Sequence, residues 1–251
     1  MTTNAPVPEV DTEFDNGTFD SAGFAASTLS SWQSLAAVID HTLLKPDATR
    51  QQVENLCDEA IRYRFACAMV NPMWVPTAVS VLSGTGIPVG VVLGFPLGAT
   101  LVSTLRQEAA ALSRLGAKEL DMVIPIGQLK SGNFQAVQHA IHAVATVAHH
   151  RGALLKVILE TSLLNVEEKL RGAEIAIQAG ADFLKTSTGF ANGGATPADV
   201  ALLRGVAGAR SGVKASGGIR TLADVRSMLE AGANRIGASA SVAIVRELGA
   251  E

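Results

Sequence analysis

The chain has 251 residues, 48% apolar, 17% charged and 4% aromatic, with a formal net charge of -3. This is the composition of a compact α/β protein with a substantial core. It excludes a disordered chain, and the lack of basic excess argues against nucleic-acid binding driven by global charge.

Residues 1–30 stand apart. They carry Glu9, Asp11, Glu13, Asp15 and Asp20, and no Lys or Arg occurs before Lys45. Without a basic leader region this is no signal or transit peptide, and it reads as an acidic, mostly disordered extension. Residues 31–251 form the second region. There, strands are expected at Val38–Thr42, Ala66–Val70, Pro88–Leu93, Glu119–Ile124, Leu154–Glu160, Asp182–Thr186, Val213–Ser216 and Arg235–Gly237. Helices are expected between and after them, near 49–63, 73–82, 101–115, 133–150, 166–179, 197–209, 221–231 and 240–248. Thr49, Thr100, Asn133, Asn165 and Thr221 are good N-cap types, and Pro197 suits a first helical position behind Thr196.

Mean hydropathy is +0.29, so a bilayer span has to be considered. The stretch from Phe65 to Leu105 has no Asp, Glu, Lys, Arg or His, but Pro72, Pro76, Pro88, Pro96 and several glycines interrupt it. It reads as buried strands and a helix. Leu115-Gly116-Ala117, Ala179-Gly180-Ala181 and Ala231-Gly232-Ala233 form a weak repeat that ends a helix and enters a strand. Eight β/α units with nearly continuous apolar strands match a single-domain (β/α)₈ TIM barrel. A doubly wound open sheet is the alternative; no GxGxxG follows the first strand. Cys57 and Cys67 form no CxxC pair, which suits a reducing, cytoplasmic setting.

Barrel enzymes place their chemistry at the C-terminal ends of the strands. Ionisable residues in such strands are costly unless paired or used, and here they are Asp40, Asp121, Lys156, Glu160, Lys185 and Lys214. Lys185 and Lys214 lie on neighbouring strands. Burial and a second ammonium both lower an amine's pKa, and a neutral amine is what imine chemistry with a carbonyl requires. Asp121 could move protons. A buried Lys–Asp pair that only supports the barrel is the alternative, but two lysines and an aspartate converging by strand position favour a functional site. Lys156 and Glu160 share a face and read as supporting groups. Gly217-Gly218 after the seventh strand and Gly237-Ala238-Ser239 after the eighth occupy the places where barrels bind phosphate. His139, His142, His149 and His150 read as a solvated helix face, not as metal ligands.

Several of these segments resemble the deoxyribose-phosphate aldolases: Ile39-Asp40-His41-Thr42-Leu43-Leu44-Lys45-Pro46, Val70-Asn71-Pro72, Gly94-Phe95-Pro96-Leu97-Gly98, Glu119-Leu120-Asp121-Met122-Val123, Leu184-Lys185-Thr186-Ser187-Thr188-Gly189-Phe190 and Lys214-Ala215-Ser216-Gly217-Gly218-Ile219-Arg220. The resemblance spans about Leu35 to Val242. It implies a class I aldolase without metal or other cofactor, joining acetaldehyde to glyceraldehyde 3-phosphate or reversing that reaction. It implies Lys185 as the Schiff-base lysine, Lys214 as the second lysine and Asp121 as the proton shuttle. It further implies substrate contacts from Asp40, Thr42, Thr188, Gly189, Gly217, Gly218, Gly237 and Ser239. The implied partners are a phosphorylated sugar and an aldehyde, with no nucleic acid and no membrane; a homo-oligomer is left open.

The sequence departs from relatives at three places. Met69 stands where many carry Cys, which predicts tolerance of reactive aldehydes; equal acetaldehyde inactivation of wild type and Met69→Cys would overturn this. Ser239-Ala240 stands where Ser-Ser is frequent. Phe190 stands where some relatives have Lys and others also have Phe.

Overall fold

The computed structural model describes residues 17–251. Eight parallel strands close into a barrel in strict chain order. They are β1 (Ile39–Leu43), β2 (Cys67–Val70), β3 (Val89–Leu93), β4 (Glu119–Val123), β5 (Leu154–Ile158), β6 (Phe183–Lys185), β7 (Gly212–Ser216) and β8 (Arg235–Ala238). The helices are α1 (Ser21–Thr28), α2 (Trp32–Ala36), α3 (Arg50–Tyr63), α4 (Val75–Val81), α5 (Val102–Arg114), α6 (Ile126–Lys130), α7 (Phe134–His150), α8 (Val166–Gln178), α9 (Pro197–Ala207), α10 (Leu222–Glu230) and α11 (Ser241–Glu247). The TIM barrel is therefore present, and the open-sheet alternative is not.

Local chemistry explains most of the helix starts. Thr49, Asn165 and Thr221 close capping boxes with Gln52, Glu168 and Asp224, and Thr196 caps α9 ahead of Pro197. Two expected caps differ. Helix α5 begins after Leu101, one residue beyond Thr100, and the Asn133 side chain bonds Gln128 instead of the α7 backbone. Gly116, Gly180 and Gly232 follow their helices with φ of 108°, 100° and 111°, as the repeat predicted.

Part of the stretch expected to be a disordered extension is helical. Residues 21–28 form α1, with Asp20 accepting from the Gly23 N–H at 2.9 Å. Helix α1 packs on α10, and the Arg204 guanidinium lies 4.1 Å from the Phe19 ring centroid. That packing could not be read locally, because α1 has almost no amphipathic period. Residues 1–16 of the expected extension lie outside the described residues.

Strand parity divides the core in two. On β4, Leu120 and Met122 face outward and pack into the apolar shell that also takes Val137, Ile141 and Val144 of α7. Glu119, Asp121 and Val123 have the opposite parity. The barrel interior is itself divided. Around β2 and β3 it is filled by Leu44, Cys67, Met69 and Val92, with Phe95 against them. Around β4–β8 and β1 it holds charge. Met69 is fully buried in the apolar part. Among the described residues, no helix is long and apolar enough to cross a membrane.

Candidate active site

Seven ionisable groups meet inside the charged part of the barrel: Asp40, Glu119, Asp121, Lys156, Lys185, Lys214 and Arg235, from β1, β4, β5, β6, β7 and β8. Asp121 is at their centre and fully buried. Its Oδ1 accepts from Lys156 Nζ at 2.9 Å, and its Oδ2 accepts from Lys185 Nζ at 2.8 Å and Lys214 Nζ at 2.7 Å. The two lysines that share Oδ2 are register partners on β6 and β7. Below them, Arg235 donates to Asp40 Oδ1 at 2.6 Å and to Glu119 Oε1 at 2.8 Å. Lys156 also pairs with Glu119, and Lys214 with Asp40.

The charge count singles out Lys185. Three carboxylates face four cations, so one positive charge is in excess. Lys156 touches three carboxylates, and Lys214 and Arg235 touch two each, but Lys185 touches only Asp121. Burial pushes Lys185 down to about 8; Asp121 opposes this fall, and Lys214 and Lys156 reinforce it. Burial has the opposite tendency for Asp121, yet Lys156, Lys185 and Lys214 overcome it and hold the carboxyl well below the usual range. Burial also fails to raise Asp40, because Lys214, Lys156 and Arg235 hold it low. In Lys156 the pull of Asp121, Asp40 and Glu119 outweighs burial, and the ammonium is strongly retained. Lys185 is therefore an amine able to lose its proton near neutral pH.

Above this floor lies a cleft of about 310 Å³ at the C-terminal ends of the strands. Lys185, Lys214, Thr42, Thr188, Gly189, Gly217, Gly218, Gly237 and Ser239 all line it. Asp40 and Asp121 do not; both lie beneath the lysines with no exposed surface. Gly217 and Gly218 have φ of 87° and 81°, so the loop after β7 turns through conformations that L side chains rarely adopt. At Gly237 the reason is space. A Cβ there would lie 2.9 Å from Lys214 Cε and 3.0 Å from Ser216 Cβ.

The loop after β6 is held from two sides. Glu160, at φ 57°, accepts from the Thr188 N–H at 3.2 Å and pairs with the Thr188 hydroxyl. Ser216 Oγ donates to the Ser187 carbonyl at 2.6 Å. Phe190 stands edge-on to Phe95, with centroids 5.2 Å apart.

Glu119, Arg235 and Ser216 are site residues that sequence reasoning missed. Parity could have found the first two, because Glu119 lies two residues from Asp121 on β4 and Arg235 two from Gly237 on β8. Lys156 and Glu160 do support the site, in different ways: Lys156 holds the charge cluster, and Glu160 holds a loop. Asp40, Cys67 and Glu119 are close enough to ligate a metal, but Arg235 and Lys156 already take the two carboxylates. The four histidines expected on a helix face form no metal-ligating cluster among the described residues.

A buried pair of barrel lysines on a shared carboxylate, under a cleft with glycine-rich loops, defines an enzyme class built for carbonyl chemistry through an amine. Residues 34–248 match the model of the DeoC/LacD family aldolases, and the chain belongs to that family. It is 52% identical over 212 residues to the deoxyribose-phosphate aldolase of Geobacillus sp. (strain WCH70), covering 84% of this chain and 95% of that one. To the enzyme of the same name from Listeria monocytogenes serovar 1/2a it is 53% identical over 212 residues, with the same coverage, 84% and 95%. Among solved structures, the deoxyribose phosphate aldolase of Aeropyrum pernix superposes with a TM-score of 0.84 at 35% identity, over 91% of this chain and 96% of that one.

Proposed function

We propose that this chain is a 2-deoxy-D-ribose-5-phosphate aldolase, cleaving its substrate reversibly to acetaldehyde and D-glyceraldehyde 3-phosphate. The observation that carries the reading is Lys185, an amine held near pKa 8 at the floor of the cleft and bonded only to a carboxylate it shares with Lys214. Neutral Lys185 attacks the aldehyde carbon of the open-chain sugar phosphate. Loss of water from the carbinolamine leaves a protonated imine, which accepts the electron pair of the C2–C3 bond as that bond breaks. The C3 hydroxyl loses its proton, and glyceraldehyde 3-phosphate leaves. The enamine on Lys185 is protonated at its terminal carbon and hydrolysed to acetaldehyde. Lys214 is the second amine that reaches the reacting atoms. Asp121 is sealed beneath both and acts through them, passing protons between the two amines by way of Oδ2. Asp40 is likewise a positioning group, since it lies below Lys214 and does not line the cleft.

Thr42, Thr188, Gly189, Gly217, Gly218, Gly237 and Ser239 make the wall against which the sugar phosphate lies, with its phosphate at the loops after β7 and β8. Binding at that end holds the carbonyl against Lys185. The enzyme works in the cytoplasm, a reading supported by two free, buried thiols, Cys57 and Cys67. It assembles as a homo-oligomer, supported by Met73, Leu97 and Leu101, each 72% exposed near the ends of β2 and β3. The Aeropyrum pernix relative is described as a tetramer.

Borohydride reduction in the presence of 2-deoxyribose 5-phosphate, followed by peptide mass spectrometry, tests the mechanism. An adduct on Lys185 is expected. A folded protein without an adduct would overturn the covalent reading in favour of acid–base chemistry in the same barrel.

A further inference from the structure

The phosphate end of the cleft needs positive charge, and the loops assigned to it supply little. The loop after β6 contributes Thr188, Gly189 and Phe190 to the wall, and the loop after β8 contributes Ser239. None of these side chains is cationic. Lys185 and Lys214 lie on the floor, bonded to Asp121. The remaining cations lining the cleft are Lys45, after β1, and Arg220, after β7. In the closed barrel β8 lies between β7 and β1, so these two residues flank the Ser239 loop from opposite sides.

The two cations differ in their surroundings. Arg220 lies next to the carboxylate that caps α10. Its backbone N–H donates to Asp224 Oδ2 at 3.0 Å, and its charge helps hold Asp224 low. Neither side chain is in an ion pair among the described residues, but Lys45 has no such carboxylate bonded to its backbone, which is anchored otherwise. The Leu44 carbonyl accepts from Asn71 Nδ2 at 3.1 Å, the Lys45 carbonyl accepts from the Ala48 N–H at 3.1 Å, and the Leu44 side chain is buried. A fixed backbone thus presents an uncommitted ammonium to the cleft. An ammonium at such a place acts on a phosphate as a point charge, through charge-assisted hydrogen bonds.

We propose that Lys45 is a specificity-determining residue: the cation from the β1 loop that makes this enzyme prefer a phosphate ester over the free sugar. The proposal rests on the aldolase reading for its substrate. Its chemistry, recognition of a phosphate dianion, can be measured without turnover.

The test compares wild type, Lys45→Ala and Lys45→Arg as full-length enzymes, in kcat/KM for 2-deoxyribose 5-phosphate and for 2-deoxyribose. Lys45→Ala should lose about 10- to 100-fold on the phosphate ester, the range for one hydrogen bond to a charged group. It should stay within about twofold on the free sugar, because the chemical machinery beneath is untouched. Lys45→Arg should recover most of the loss. Calorimetric titration with inorganic phosphate should show weaker binding in Lys45→Ala. An equal loss on both sugars, no loss on the ester, or phosphate binding that is absent or unchanged by the substitution would overturn the role of Lys45. Wild type that binds phosphate through Lys45 but cleaves neither sugar would overturn the aldolase reading and leave the phosphate role of Lys45 standing.

Discussion

The pKa of Lys185 links a single side chain to turnover. At about 8, roughly a tenth of the amine is neutral at pH 7, against roughly one part in 3,000 for an ordinary lysine. In the free enzyme kcat/KM should therefore rise with pH and level off above about 8. The neighbours give this prediction its signs. Lys214 disfavours the ammonium of Lys185, so Lys214→Met should move the midpoint up. Asp121 favours that ammonium, so Asp121→Asn should move it down, although the rate itself falls by about 100-fold or more in both variants. pH–rate profiles of the three proteins check this. Midpoints that stay together, or move in the opposite senses, would show that another group titrates.

At the scale of elements, adjacent strands have to make room for one another. Lys214 on β7 leans across β8, and Gly237 is the gap through which it passes. Gly237→Ala should keep the fold, because one methyl group is added beside a flexible side chain. It should nevertheless lower kcat by about 10- to 100-fold, as displacement of a reacting group by ~1 Å does. Steady-state kinetics with a circular dichroism control measure this. Undiminished kcat would mean that the Lys214 amine does not have to be where it is found. The loop after β6 shows a related dependence. It approaches the cleft because Glu160, from the end of β5, adopts a left-handed backbone to receive Thr188.

For the whole molecule, the unequal filling of the barrel is the main feature. Apolar side chains occupy the β2–β3 side, and a network of paired charges with one cation in excess occupies the rest. Removing one partner from such a network leaves a buried charge uncompensated, so its members stand or fall together. Outside the barrel, three large apolar side chains remain 72% exposed near the ends of β2 and β3, more than an isolated surface needs. Light scattering should give a solution mass that is a multiple of 25.9 kDa, and Leu97→Glu with Leu101→Glu should reduce it. A mass of one chain for the wild type would overturn the oligomer.

The sequence by itself determined the barrel, because its signals are local. Apolar runs of strand length, helix caps such as Thr49 and Thr221, and glycines such as Gly180 each act within a few residues. Lys185, Lys214 and Asp121 were legible for a related reason: a charge inside an apolar strand demands an explanation wherever the strand lies. What joins those charges was not legible. That Asp121 lies beneath the two lysines and does not line the cleft, that Lys156 bonds it while Glu119 pairs with Lys156 and Arg235 with Asp40, and that α1 packs on α10 all depend on residues far apart in the chain. Only closure of the sheet, which brings β8 back against β1, decided which side chains share the interior and which of the four cations has the fewest partners.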